Sequence, residues 1–119
     1  MNQTFKDLTQ DLSTYLGKLR KEMPDLMNGF SSLAKAASGT DGALDKKTKE
    51  LIALALGVAA HCDGCIGFHA QTLVKLGASR QEFLEMLGMA VYMGGGPSLM
   101  YAAEALKAYE EFSAEKSPA

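Results

Sequence analysis

Ten consecutive residues near the middle of the chain, 51–60, carry no charged side chain and read LIALALGVAA. Gly57 is the one member that is not hydrophobic, so a helix formed by this run is apolar around its whole circumference. Such a helix must be covered on every side. A helical domain of 119 residues has little surface with which to do this alone. The run therefore predicts that copies of the chain pack around it as a homo-oligomer.

Apolar side chains recur with helical spacing along the rest of the chain, and no alternating strand pattern stands out. The breaks carry typical turn and capping residues: Pro24 after the first helix, Asp45 as an N-cap, and a capping box over residues 79–82. The predicted helices cover residues 4–22, 25–37, a third that starts at 46, a fourth that ends at Gly77, a fifth that ends at Met93 and a sixth over 98–113. Residues 115–119 are expected to fray. The predicted fold class is all-α, with six helices in a single domain, residues 1–119.

The charge balance excludes several classes of function. The chain has 12 basic and 14 acidic residues, a net charge of −2 and an isoelectric point near 5.6, so it has no basic face for nucleic acid or anionic lipid. No run approaches about 18 uninterrupted apolar residues, so no membrane-spanning helix is expected. The first seven residues, MNQTFKD, contain no apolar core of a secretory signal. We therefore expect a cytoplasmic protein in a reducing compartment.

The two cysteines of the chain, Cys62 and Cys65, are separated by two residues and followed one helical turn later by His69. A CxxC pair can close into a disulfide and open again, and in a reducing compartment it is more often catalytic or metal-binding than structural. His69 lies four residues after Cys65, on the same face of a helix, so its imidazole can reach that sulfur. A neighbouring imidazole or a helix N-terminus favours the nucleophilic thiolate over the thiol. The pattern predicts dithiol redox chemistry.

Two further residues are candidates near this motif. Glu50, the last charged residue before the apolar run, precedes Cys62 by twelve residues, which is about 18 Å of continuous helix. It reaches the cysteines only if the helices fold back or if a neighbouring subunit supplies it; otherwise it is a solvated residue in a lysine-rich first turn. His61 directly precedes Cys62 but points about 100° away on an ideal helix, so it is the weaker candidate.

A structural metal site is one alternative for these residues. Cys62, Cys65 and His69 supply three ligands, and only His61 or Glu50 offers a fourth for the closed tetrahedral site that zinc prefers. The sequence lacks the second CxxC or the HxxxH that would complete a common zinc pattern. Redox chemistry without a bound metal is therefore the favoured interpretation.

The combined motif, Glu50 followed by Cys62-Asp63-Gly64-Cys65 and His69, resembles the active-site motif of the carboxymuconolactone decarboxylase superfamily, and within it the alkylhydroperoxidase AhpD-like branch. The resemblance covers residues 25–112, and the flanking segments that fit are 49–55, 68–70 and 93–97. It implies an all-helical fold assembled as trimers or hexamers, with no bound cofactor.

The resemblance also implies roles for four residues. Cys65 is the nucleophile that attacks a hydroperoxide and becomes a sulfenic acid, and Cys62 donates a proton and then resolves that acid into a Cys62–Cys65 disulfide. His69 and Glu50 form the relay that takes the thiol proton and returns it to the leaving group. An external dithiol then reduces the disulfide. The implied function is a cysteine-based alkylhydroperoxidase or disulfide reductase in antioxidant defence.

Gly64 departs from the family pattern. The peroxidase branch commonly has a further relay histidine immediately before the second cysteine, the position that Gly64 holds here. The proton path then uses water, or peroxidase activity is weak. Three other functions stay open: a lactone decarboxylase of the same superfamily, against which the cysteine pair argues; a metal-binding or redox-sensing partner protein without enzymatic activity; and a helical interaction module with inert cysteines.

Overall fold

The computed structural model describes residues 3–116, and within them the chain forms six α-helices and no β-strand. The helices are α1 (Phe5–Glu22), α2 (Pro24–Ser38), α3 (Lys46–Ala59), α4 (Asp63–Lys75), α5 (Arg80–Gly94) and α6 (Gly96–Lys116). The all-α prediction is confirmed. Asp45 caps α3 through its side chain, and Ser79 with Glu82 forms the predicted capping box of α5. None of the helices in residues 3–116 is long and apolar enough to cross a membrane.

The last helix is longer at both ends than the sequence predicts. It begins two residues early, at Gly96, directly after Gly95, whose φ of 77° separates it from α5. It continues to Lys116, three residues past the predicted end. The expected fraying of its last residues was therefore wrong, because the Lys116 Nζ donates a hydrogen bond to the Val74 carbonyl at 2.8 Å and holds this end against α4. The rest of the predicted tail, 117–119, lies outside the described residues.

A shared hydrophobic core joins α3, α4, α5 and α6, and α1 lies against α4. The largest apolar side chains that are fully buried are Leu54 and Val58 of α3, Ile66 and Leu73 of α4, and Phe83 of α5. Phe5 of α1 joins the same core, and its backbone N–H donates a hydrogen bond to the Glu111 Oε1 of α6 at 2.7 Å. The α3–α4 pair is thus central, and the CxxC motif spans the N-cap and the first turn of α4.

The apolar run in α3 is covered on one side only within a single chain. Leu54, Gly57 and Val58 are buried, whereas Ile52 is 46% exposed and Leu56 is 64% exposed. No residue of the neighbouring helix α2 is buried, so α2 does not cover Ile52 and Leu56. One chain therefore does not provide the coverage that the run requires, and the homo-oligomer stays a prediction.

Candidate active site

The turn between α3 and α4 brings the two helices together. α3 ends with the two hydrogen bonds of a Schellman motif: the His61 N–H donates to the Val58 carbonyl at 3.1 Å, and the Cys62 N–H donates to the Gly57 carbonyl at 3.0 Å. His61 adopts the left-handed backbone that this motif requires, with a φ of 58°. The expectation that placed His61 on an ideal helix was therefore wrong, because α3 ends at Ala59. The tight ending reverses the chain, and α4 runs back along α3.

Cys62 is the N-cap of α4. Its backbone is extended, and its Sγ accepts a hydrogen bond from the Cys65 N–H at 3.1 Å. The two cysteines are joined by a disulfide, with their Cα atoms 5.2 Å apart, and both residues are half-buried. Sulfur at a helix N-terminus lies in the positive end of the helix dipole, which favours the thiolate once the disulfide is reduced. This position suits a reactive dithiol.

Gly57 lets α3 approach the disulfide closely. A Cβ atom built on Gly57 would lie 3.1 Å from the Cys65 Cβ and 3.9 Å from the Ile66 backbone nitrogen. A side chain here would push α3 away from the first turn of α4. In the sequence Gly57 is only a neutral member of the apolar run, and its role depends on which residue α4 places opposite it.

Glu50 and His69 form a hydrogen-bonded pair across α3 and α4. The Glu50 Oε1 lies 2.7 Å from the His69 Nδ1. The Glu50 side chain is 12% exposed and the His69 side chain is 35% exposed, so the carboxylate lies deeper and the imidazole extends toward the surface. The fold-back of α4 along α3 thus brings Glu50 to His69 within one chain, and its reach to the cysteines stays a prediction. With Nδ1 engaged by the carboxylate, Nε2 is the ring nitrogen that can exchange a proton with a thiol.

Gly64 faces α1. A Cβ atom on Gly64 would lie 2.8 Å from the Leu12 Cδ1, so α1 covers the position at which the peroxidase branch has a relay histidine. A side chain at residue 64 would need the Leu12 side chain of α1 to shift. The Leu12 side chain of α1 thus occupies space that a side chain at residue 64 would need. No local pattern in the sequence indicates this contact.

α6 contacts both residues that flank Cys62. The His61 ring stacks on the Tyr101 ring, with centroids 4.6 Å apart and planes within 1° of parallel. Asp63 interacts with Glu104, which follows Tyr101 by one turn of α6. The pKa of Glu104 is raised, first by partial burial and then by the charge of Asp63 and a hydrogen bond with it. Sequence reasoning missed both α6 residues, because Tyr101 lies 39 residues after Cys62 and no local spacing connects them.

The residues considered for a metal site are engaged in other ways. Cys62 and Cys65 are bonded to each other, and His69 is hydrogen-bonded to Glu50. Within residues 3–116 no group of three or more histidine, cysteine, aspartate or glutamate side chains is placed to hold a metal ion. A metal centre here would need both sulfurs reduced and the imidazole turned toward them.

Comparison with known proteins gives consistent findings. Residues 24–108 match the carboxymuconolactone decarboxylase family. The fold is similar to the apo crystal structure of a protein of this family from Legionella pneumophila, with a TM-score of 0.89 and 74% identity over 92% of this chain and 96% of that one. A second similar structure is from Thermotoga maritima, with a TM-score of 0.81 and 29% identity over 91% of this chain and 92% of that one; it is a protein of the same family described as a candidate for the antioxidative response. An uncharacterized protein from Cupriavidus necator is 36% identical over 114 residues, covering 96% of this chain and 100% of that protein.

Proposed function

The chain belongs to the carboxymuconolactone decarboxylase family, and on this premise we propose that it is a thiol-dependent peroxidase or disulfide reductase in antioxidant defence. The observation that supports the proposal is the Cys62–Cys65 disulfide at the N-terminus of α4, one helical turn from the hydrogen-bonded pair of Glu50 and His69. The family includes enzymes. The description of the Thermotoga maritima protein supports the same class of function.

In the oxidative half-reaction the Cys65 thiolate attacks the terminal oxygen of a hydroperoxide. The O–O bond breaks, and the alkoxide leaves with the proton of the Cys62 thiol as an alcohol. Cys65 is then a sulfenic acid. The Cys62 thiolate attacks the Cys65 sulfur, the S–O bond breaks, and the hydroxide is protonated to water. The peroxide gains two electrons, and the two thiols become the disulfide.

Glu50 and His69 carry the second proton of this reaction. The imidazole Nε2 accepts the proton of the Cys65 thiol, while the Glu50 carboxylate accepts the hydrogen bond from Nδ1 and stabilises the imidazolium. The same imidazolium later returns the proton to the departing hydroxide. The 2.7 Å contact between the two side chains supports this relay because it fixes the tautomer and the direction of the ring.

The reductive half-reaction needs an external dithiol. One thiolate of the dithiol attacks the protein disulfide, and the second thiolate resolves the mixed disulfide. Two electrons pass to the protein, and the donor leaves as its own disulfide. We further propose that the protein acts in the cytoplasm as a single domain, residues 1–119, in a trimer or hexamer, without a bound cofactor.

Thiol counting after one equivalent of an organic hydroperoxide tests the proposal. The reduced wild-type protein should lose both thiols and release one equivalent of alcohol, and Cys65→Ser should do neither. Cys62→Ser should stop at a sulfenic acid that dimedone traps. Glu50→Gln should react about 100- to 10,000-fold more slowly, since that is the usual contribution of a positioned acid–base group. The matched control Glu85→Gln, on the exposed face of α5, should react like wild type.

The same assay can reject the proposal. If Cys65→Ser consumes hydroperoxide at the wild-type rate, Cys65 is not the nucleophile. If the wild-type protein reduces neither a hydroperoxide nor a low-molecular-weight disulfide, the function is wrong.

Lactone decarboxylation is the second candidate, because the Glu50–His69 pair is an acid–base pair that does not need the sulfurs. The double variant Cys62→Ser/Cys65→Ser separates the two functions. Turnover of a carboxylactone by this variant would support the decarboxylase, and complete absence of turnover by the wild-type protein would exclude it.

A further inference from the structure

His61 is the one non-glycine residue with a positive φ in residues 3–116. It occupies the position of the Schellman motif that glycine usually takes, because a left-handed backbone brings Cβ close to the following carbonyl oxygen. Glycine would make this turn without that strain. A strained residue directly beside a reactive group points to a function of its side chain.

Tyr101 orients the His61 imidazole. The two rings are stacked with centroids 4.6 Å apart and planes within 1° of parallel. Tyr101 is half-buried on α6, whereas His61 is exposed. The imidazole is therefore held in one orientation and open to solvent, one residue before Cys62.

Charged groups of two helices lie together beyond Cys62, at Asp63. Asp63 of α4 and Glu104 of α6 lie on the other side of Cys62, and Lys107 of α6 lines the same open cavity of about 450 Å³ with them. Partial burial, and after it the charge of Asp63 and a hydrogen bond with it, raise the pKa of Glu104.

Reduction of the disulfide creates a need for two proton donors. Each sulfur is released as a thiolate and must be protonated before the dithiol is regenerated. His69 lies on the helix face of Cys65. The chain has two histidines, His61 and His69, and Gly64 stands where the peroxidase branch has a further relay histidine. His61 is the remaining imidazole, and it adjoins Cys62.

We propose that His61 is the proton carrier of Cys62, as His69 is of Cys65, a role that rests on the proposed dithiol function. A thiolate of the external dithiol attacks the disulfide, the S–S bond breaks, and its electron pair leaves on a cysteine sulfur. The second thiolate then releases the other cysteine and forms the donor's disulfide. When Cys62 is the sulfur released, the His61 imidazolium gives it a proton and regains one from a thiol of the donor. Two electrons and two protons pass from donor to protein.

The pH dependence of disulfide reduction by dithiothreitol tests this role. The rate of disulfide reduction by dithiothreitol is measured for the oxidised wild-type protein and for oxidised His61→Asn at each pH from 5.5 to 9. The variant rate is divided by the wild-type rate at the same pH, which removes the effect of dithiothreitol ionisation because both proteins meet the same reagent. Asparagine tolerates the left-handed backbone. The ratio should be about one hundredth at acidic pH, at the low end of what a positioned acid supplies, and should rise toward one at pH 9, because only the protonated form of an imidazole donates a proton.

Further variants separate proton transfer from a structural role. His61→Gly should fold, since glycine suits the turn, and added free imidazole should restore its rate. Tyr101→Ala removes the stacking partner and should give an intermediate ratio with the same pH dependence. Tyr92→Ala, which removes an exposed ring on α5, should follow wild type.

Two outcomes would overturn the proposal: a His61→Asn ratio of one at every pH, or a lowered ratio that is constant with pH and is not restored by imidazole in His61→Gly. The assay contains no peroxide. A pH-dependent ratio in a protein that does not consume hydroperoxide would therefore refute the peroxidase and leave the role of His61 intact. A ratio that does not change with pH, in a protein that consumes hydroperoxide, would refute the role of His61 and leave the peroxidase intact.

Discussion

The substitution Gly57→Ala tests how tightly α3 and α4 hold the disulfide. The added methyl carbon would lie 3.1 Å from the Cys65 Cβ, and the nearest backbone atoms would be 3.9 Å away. Carbon atoms are best separated by about 3.5–4.0 Å. The Cys65 Cβ is bonded to the backbone of α4 and cannot rotate away, so the two helices must separate by some tenths of an ångström.

Two opposing terms set the expected change in stability. Overpacking of a well-packed contact costs about 1–3 kcal/mol. Alanine is favoured over glycine inside a helix by about 1 kcal/mol. The variant Gly17→Ala isolates the second term, because a Cβ on Gly17 meets nothing within 4 Å. The free energies of unfolding of the two variants should therefore differ by about 1–3 kcal/mol, with Gly57→Ala the less stable.

Urea unfolding followed by circular dichroism measures this difference, with the protein oxidised and again with it reduced. A second measurement links the contact to chemistry. A displacement of 1 Å can lower a rate about a hundredfold, so a shift of a few tenths of an ångström should slow hydroperoxide consumption about fourfold in Gly57→Ala. Gly17→Ala should keep the wild-type rate.

Equal stabilisation of both variants, with an unchanged rate in Gly57→Ala, would refute this reasoning. It would mean that the α3–α4 contact at Cys65 adjusts freely and that Gly57 is not required for the geometry of the disulfide.

Three more substitutions test other parts of the structure. Gly67→Ala places a Cβ 2.8 Å from the Cγ2 of buried Thr9 and should have a free energy of unfolding about 1–3 kcal/mol below that of Gly17→Ala in a urea titration; equal stability of the two variants would contradict the packing of α1 on α4. Partial burial and Asp63 raise the pKa of Glu104 in the folded state, so this group lowers stability as the pH rises above the unfolded pKa of about 4.3. Glu104→Gln should therefore raise the melting temperature more at pH 7 than at pH 4, and an equal rise at both would reject the assignment. Leu56→Asp puts a charge on the exposed side of α3 and should shift the protein to smaller species in light scattering, whereas a wild-type protein that is already monomeric would remove the predicted oligomer.

Local sequence patterns were sufficient to predict the six helices and to select Cys62, Cys65 and His69 as candidate site residues. Cys65 and His69 are four residues apart on one helix, and Cys62 precedes Cys65 by three residues, so local spacing relates them without knowledge of the fold. Capping residues such as Asp45 and Ser79 likewise act within one turn of their helices. These are short-range relations, and they do not depend on how the helices pack.

The remaining relations come from contacts between helices that are distant in sequence. From the sequence, Glu50 could be a surface residue, a residue of the site or a residue supplied by another subunit. The structure brings it to His69 within one chain, because the Schellman turn at His61 reverses the chain and α4 runs back along α3. The close approach at Gly57 and the coverage of Gly64 by Leu12 depend on which side chain lies opposite each glycine.

The amino-acid sequence by itself determined an all-α chain with a CxxC pair, a histidine one turn later, and an apolar run too hydrophobic for one small domain to cover. Those properties follow from residue type and from spacing within single helices. Only the tertiary structure decided that Glu50 meets His69 within one chain, that α1 occupies the space beside Gly64, and that α6 holds the residues on both sides of Cys62. The physical reason is that packing selects partners by shape and burial across helices, and the spacing of residues within one helix carries no information about the helix that will lie against it.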